Sequence, residues 1–194
     1  LGTSATIDLE AWRRAVAKGT SKARQRGNSR IAVPLPEIDG HDFEELATAA
    51  TEAAILTSYR YREFKAASAE EVELEEILIA APVDIASATT RAQIVADATC
   101  WARDLVNTPS NMKQPDSLAA RAIEMAEETG LTFENIDDKA ANELGLNALL
   151  AVGQGSAVGP RLITLEHRPE GAANQPTVLI GKGITFDTGG ISLK

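Results

Sequence analysis

Cysteine is almost missing from these 194 residues. Cys100 stands alone, so no disulfide can form within the chain, which fits a reducing compartment. No apolar run approaches the roughly 18 residues that a membrane-spanning helix needs, and no basic-then-apolar leader opens the chain. Histidine is scarce as well. His41 and His167 lie far apart, without a His-Glu-x-x-His arrangement, and each reads as a surface or structural histidine. Positive charge is outnumbered: 19 Lys and Arg face 28 Asp and Glu, for a net charge of −9. That balance argues against non-specific nucleic-acid binding by the body of the chain. The exception is a local basic stretch, Lys18 to Arg30, which holds no acidic residue. A phosphate-binding P-loop is also lacking, because Lys182 precedes Gly183 and no Ser or Thr follows it directly.

What remains is ample for a core, since 44% of the residues are hydrophobic, and disorder is not expected. Asp8 caps an expected helix from Leu9 to about Arg24, stopped by Gly27. Ile31–Leu35 reads as a strand, Asp42 to about Tyr59 as a helix and Val72–Ala80 as a second strand closed by Pro82. A long helix is expected over Ser87–Val106, with Ile94, Ala98, Trp101 and Leu105 on its apolar stripe. Next come a helix over Leu118–Thr129 capped by Asp116 or Ser117, a strand over Leu131–Asn135 and a short helix over Asp138–Leu144. Leu149–Val152 leads into a turn at Gly153-Gln-Gly-Ser156, a partial Gly-x-Gly, and Leu162–Glu166 and Thr177–Ile180 are two further strands. Strands and helices alternate, so the expected class is α/β, with a mainly parallel sheet covered by helices. Cys100 reads as a small buried hydrophobe, and Trp12 and Trp101 as core anchors.

The richest chemistry lies at the end. Thr177–Ile180 is read as a buried strand, followed by Gly181-Lys-Gly183, then Asp187, a second glycine turn at Gly189-Gly190, and Lys194. Ligands collect beyond the carboxyl ends of strands in open α/β sheets. Asp187 is an oxygen ligand suited to a divalent metal. Lys182 could join it only as a neutral amine, which burial and a nearby dication would favour. A protonated Lys194 would instead stabilise a carbonyl oxygen. The plain alternative is a turn carrying a solvated lysine.

The fourteen residues Gly181-Lys-Gly-Ile-Thr-Phe-Asp-Thr-Gly-Gly-Ile-Ser-Leu-Lys194 resemble the first metal-site motif of the leucyl aminopeptidase, or cytosol aminopeptidase, family. Two upstream stretches agree in order: Arg103-Asp-Leu-Val-Asn-Thr-Pro-Ser-Asn111 with Pro115, and Val152-Gly-Gln-Gly-Ser156 with Pro160-Arg-Leu-Ile163. The resemblance implies a partial amino-terminal macro-like α/β domain over residues 1–87. Residues 88–194 would be a linker helix and the first part of an aminopeptidase catalytic domain with a mixed, mainly parallel sheet. It implies two divalent metal ions, Mn or Zn with Mg or Co possible, held in part by Lys182 and Asp187, with bicarbonate as a possible base. Lys194 would be the catalytic lysine at the substrate carbonyl. Substrates would be peptides with a free amino terminus, leucine-like residues preferred, and family members are typically cytoplasmic homohexamers.

The family's second motif, Asn-Thr-Asp-Ala-Glu-Gly-Arg, does not occur in these residues. The chain begins at Leu1 without methionine and stops in a glycine-rich loop, so it is expected to be a piece of a longer protein, truncated at both ends. Asp187 is the sole carboxylate of the motif and cannot balance two dications, so the piece alone is expected to be inactive. The rival expectation is a non-catalytic nucleotide- or DNA-binding module using the basic stretch Lys18–Arg30; no membrane partner is expected, and DNA is disfavoured by the net charge but not excluded.

Overall fold

The computed structural model describes residues 8–64, 72–172 and 175–186. The chain is mixed α/β and divides into two compact units, Leu1–Asn107 and Thr108–Lys194.

The first unit is a strand–helix–strand crossover flanked by two more helices. Helix α1 (Leu9–Gln25) starts where the Asp8 carboxylate accepts a hydrogen bond from Ala11 N–H, and the chain reverses at Gly27, φ 81°. Strand β1 (Arg30–Pro34) leads to helix α2 (Phe43–Ser58), whose cap is Asp42 accepting from Glu45 N–H at 2.8 Å. Strand β2 (Glu76–Ala80) returns parallel to β1, in the register Arg30 to Glu76 through Pro34 to Ala80. Parallel neighbours need a long crossover, and α2 provides it. Ile31, Val33, Ile77 and Ile79 turn one face of this pair inward, while Leu78 on the other face is 58% exposed. Arg30 and Glu76, opposite one another in register, form an ion pair.

Alanine builds the helical layer. Helix α2 packs against both α1 and helix α3 (Ala86–Asn107). Ala47, Ala49, Ala50 and Ala54 of α2 have no solvent exposure. Val16, Ala50, Ala53 and Ala54 form a buried cluster lined by Trp12, Val33, Leu35, Ile77 and Ile79. The Trp12 indole N–H donates to Leu46 C=O at 3.0 Å, which satisfies its one polar atom. On α3 the buried residues are Ala88, Ala92 and Ala96. This corrects the expected stripe: Ile94 is 64% exposed, Ala98 is exposed, and Trp101 and Leu105 are half-buried. The face with the smallest side chains won because an alanine-rich partner can be approached closely only by another small face.

The second unit holds helix α4 (Pro115–Thr129), strand β3 (Thr132–Ile136), helices α5 (Asp138–Glu143) and α6 (Asn147–Gly153), and strand β4 (Leu162–Glu166). β3 and β4 pair antiparallel, Thr132 against Glu166 through Ile136 against Leu162. α4 lies on both strands and buries Ala119, Ala122 and Ala126. It starts three residues earlier than expected, with Pro115 in its first turn and the Ser117 hydroxyl accepting from Gln114 N–H at 2.9 Å. The chain leaves α4 through Gly130, φ 72°. Residues 149–152, expected only as an approach to a turn, belong to α6.

Thr177–Ile180 departs most from expectation. It is not part of a strand, and no strand pairs with it among the described residues. Val178, Leu179 and Ile180 are 69%, 93% and 94% exposed. A strand is defined by its neighbour, and an apolar β-branched sequence does not supply one.

Candidate functional site

Lys182 follows this segment and is exposed, as are Gly181 and Gly183 beside it. A Cβ on Gly181 would meet nothing within 4 Å, and one on Gly183 would make an ordinary contact of 3.9 Å with Leu118 Cδ2. No described neighbour therefore approaches either glycine closely. Asp187 and Lys194 lie outside the described residues. Among the described residues, no group of three or more His, Cys, Asp or Glu side chains could hold a metal ion. Lys182 on its own does not fit the role of a metal centre: a single exposed amine offers neither the charge nor the convergence that a dication needs.

The two upstream stretches are well built, and both are structural. In the first, the Arg103 guanidinium donates to Leu56 C=O at 3.0 Å and lies over the Tyr59 ring, 5.5 Å from its centroid. The Tyr59 hydroxyl donates to Asp104 Oδ1 at 2.7 Å and accepts from Asn107 Nδ2 at 3.0 Å. Three residues on the last turns of α3 thus grip the residue that ends α2, whose own N–H donates to Ile55 C=O at 3.1 Å. Burial raises the Tyr59 phenol above its ordinary pKa; the Asn107 hydrogen bond opposes this, and the Asp104 carboxylate adds to it. Cys100, one turn earlier, is also raised, chiefly by burial and against the lowering pull of Arg103. A raised thiol pKa disfavours the reactive thiolate.

In the second stretch, packing excludes a Cβ at Gly153 but not at Gly155, where one would meet nothing within 4 Å. A Cβ on Gly153 would lie 2.7 Å from Pro160 Cδ, and one on Gly159 would lie 2.9 Å from the Asp138 carboxyl. The partial Gly-x-Gly is thus a place where the end of α6 folds under a proline, and Ser156 N–H closes the turn onto Gly153 C=O at 3.0 Å. Arg161, whose side chain is only 19% exposed, donates through Nε to Asp116 Oδ1 at 2.7 Å, and its Nη1 lies 3.9 Å from Asp138 Oδ1. It ties the first turns of α4 and α5 to the start of β4. The carboxylates at those helix N-termini also sit where the helix dipole favours negative charge. Sequence reasoning missed the pairing of Tyr59 with Asp104 and of Arg161 with Asp116 and Asp138. Tyr59 gave no signal, being 45 residues from Asp104; the run Pro160-Arg161 could have prompted a search for acidic partners.

The comparisons with known proteins converge. The model of the cytosol aminopeptidase family N-terminal domain matches residues 1–68, and that of the same family's catalytic domain matches residues 100–194. A "Probable cytosol aminopeptidase" of Syntrophotalea carbinolica is 39% identical over 202 residues, covering 100% of this chain and 41% of the relative. Its namesake in Aquifex aeolicus is 36% identical, covering 100% of this chain and 39% of the relative. The chain thus spans about 40% of the length of the curated relatives it matches. Among solved structures, the bottromycin maturation enzyme BotP in complex with Mn has a TM-score of 0.77 and 32% identity, covering 88% of this chain and 36% of that one. A mutant of tomato leucine aminopeptidase, at 23% identity and a TM-score of 0.71 over 84% of this chain and 34% of that one, shares the fold.

Proposed function

The chain belongs to the cytosol aminopeptidase family, and from that premise we propose that the protein acts as a metal-dependent aminopeptidase that releases amino-terminal residues, leucine-like ones preferred, from peptides. One observation carries the reading: the family's two domain models match in order on a single chain, and the second spans the Gly181–Lys194 stretch.

In this proposal Lys182 and Asp187 belong to the ligand set for two divalent ions, Mn or Zn, with Mg or Co as alternatives and bicarbonate as a candidate base. Bound ions of this kind polarise a carbonyl and supply a hydroxide at neutral pH. Lys194 would hold the carbonyl oxygen as charge develops on it. The described residues alone do not form that centre, so no step is assigned to them. The 194 residues by themselves would accordingly be inactive. The partners would be peptides with a free amino terminus and further copies of the protein in a homohexamer. The cytoplasm is the proposed location, supported by the names of the relatives and the single cysteine.

The test is release of a chromogenic leucine amide by a polypeptide of the relatives' full length, with Mn²⁺ or Zn²⁺ added. Turnover that vanishes on chelation is expected. Lys194→Ala should lower kcat strongly and leave metal content unchanged. Absence of turnover on any amino-terminal amide, with metal bound, would overturn the proposal.

A further inference from the structure

Of the two glycines that flank Lys182, only Gly183 has a described neighbour where a side chain would stand, and that neighbour is Leu118 Cδ2. Leu118 belongs to the start of α4, where its N–H donates to Gln114 C=O at 3.0 Å and closes the first turn. Asp116 sits in the same turn. Arg161 grips it from the start of β4: Nε and Nη2 both converge on Asp116 Oδ1, at 2.7 and 2.5 Å. The arm toward α5 is weaker. Nη1 lies 3.9 Å from Asp138 Oδ1 and, although buried, makes no hydrogen bond among the described residues. Charge-assisted bonds of the first kind are short, strong and directional, and a largely buried cation that loses its partner is costly. The first turn of α4 is therefore held in place chiefly by Arg161.

We propose that Arg161 is a positioning residue for the segment Gly181–Gly183. It acts through Asp116 and the closed first turn of α4, which fixes Leu118, and Leu118 is the side chain against which Gly183 stands. Coupling of this kind runs through hydrogen-bonded and packed groups on a rigid element. The two arms of Arg161 make the proposal specific. The Asp116 arm leads to the glycine segment, whereas the Asp138 arm leads to α5 and to Gly159. Loss of the first should displace the segment, and loss of the second should not. The consequence for turnover rests on the aminopeptidase reading; the placement itself does not.

The geometric test is the nuclear Overhauser contact between the Leu118 methyls and the Gly183 α-protons in this 194-residue chain. It should be present, should vanish in Arg161→Leu and Asp116→Ala, and should persist in Asp138→Ala. The functional test uses a chain of the relatives' length and a chromogenic leucine amide. There Arg161→Leu and Asp116→Ala should lower kcat by about 10–100-fold with KM little changed, the scale expected when a reacting group shifts by about 1 Å. Asp138→Ala should leave kcat close to that of the parent. Leu118→Ala should reproduce the loss, and adding Asp116→Ala to it should cost little more, because both cut one path. A purely structural role for Arg161 gives the opposite pattern: Asp138→Ala as harmful as Asp116→Ala, and additive losses that follow the melting temperature of the second unit. That pattern overturns the proposal, as does a Leu118–Gly183 contact that survives Asp116→Ala. Should Arg161→Leu unfold the second unit, Asp116→Ala and Asp138→Ala, which both keep the cation, decide the question. A contact that responds as expected in a protein whose full-length parent turns over no amide would defeat the proposed function and leave the placement by Arg161 standing.

Discussion

Tyr59→Phe is the most direct perturbation of the first unit. It removes one oxygen and leaves the ring, so the Arg103 stacking survives while the hydrogen bonds to Asp104 at 2.7 Å and from Asn107 at 3.0 Å are lost. A hydrogen bond to a charged group contributes about 1.5–3 kcal/mol. Asp104 is half-buried, so water can replace part of the interaction, and about 1–2 kcal/mol is the expected loss. For a domain of this size that lowers the melting temperature by about 5–10 °C. The readout is unusually clean: the chain's two tryptophans, Trp12 and Trp101, both lie in the first unit, so tryptophan fluorescence follows that unit's unfolding alone. The double variant with Asp104→Ala should be less destabilised than the sum of the single variants, because each removes the same bond. A shift below about 1 °C, or strict additivity, would show that the Tyr59 hydroxyl does not help to hold the end of α2 against α3.

The Tyr59 phenol also sets an alkaline limit. Its folded pKa lies above the ordinary value of about 10 because burial disfavours the phenolate. Its contribution is complete below pH 10 and is lost as pH rises through the folded pKa, where the unfolded chain binds fewer protons; Tyr59→Phe should flatten that part of the stability curve. On α3, Ala92→Leu should destabilise by about 1–3 kcal/mol through overpacking, whereas Ile94→Ala, at a 64% exposed site, should change stability by less than about 0.5 kcal/mol; thermal melts of the two variants test which helix face is inside. Gly153→Ala should strain the contact with Pro160, at a cost of about 1–3 kcal/mol, seen as faster hydrogen exchange across residues 147–166. Arg161→Leu should leave Asp116 and Asp138 without the cation they share, destabilise the second unit and leave tryptophan fluorescence melts of the first unchanged.

Sequence-local chemistry was the legible part of this fold. Asp8 and Asp42 were readable as caps, because a cap needs only its own side chain and the next turn. Gly27 was readable as a stop and does carry a positive φ, 81°. The inner face of α3 was not readable, because α2 decides it: a hydrophobicity stripe ranks Ile94 above Ala92, and a partner made of alanine reverses the ranking. Thr177–Ile180 fails as an isolated strand for a related reason, since ladder pairing is a property of two segments. For the candidate site, the buried strand read before Lys182 is not found among the described residues, where Val178, Leu179 and Ile180 are exposed. The chemistry of Lys182 was not legible either, because convergence of ligands is a tertiary fact.

The alanine contacts of the first unit also bear on how its sequence can drift. Single-base changes in an alanine codon give Val, Thr, Ser, Gly, Pro, Asp or Glu. At Ala47, Ala50, Ala54, Ala88, Ala92 and Ala96, all buried to within 2%, each of these adds bulk, introduces polarity or weakens the helix. Those helices therefore meet along a line with almost no neutral neighbours in codon space, while the outward residues of the same helices are free to vary.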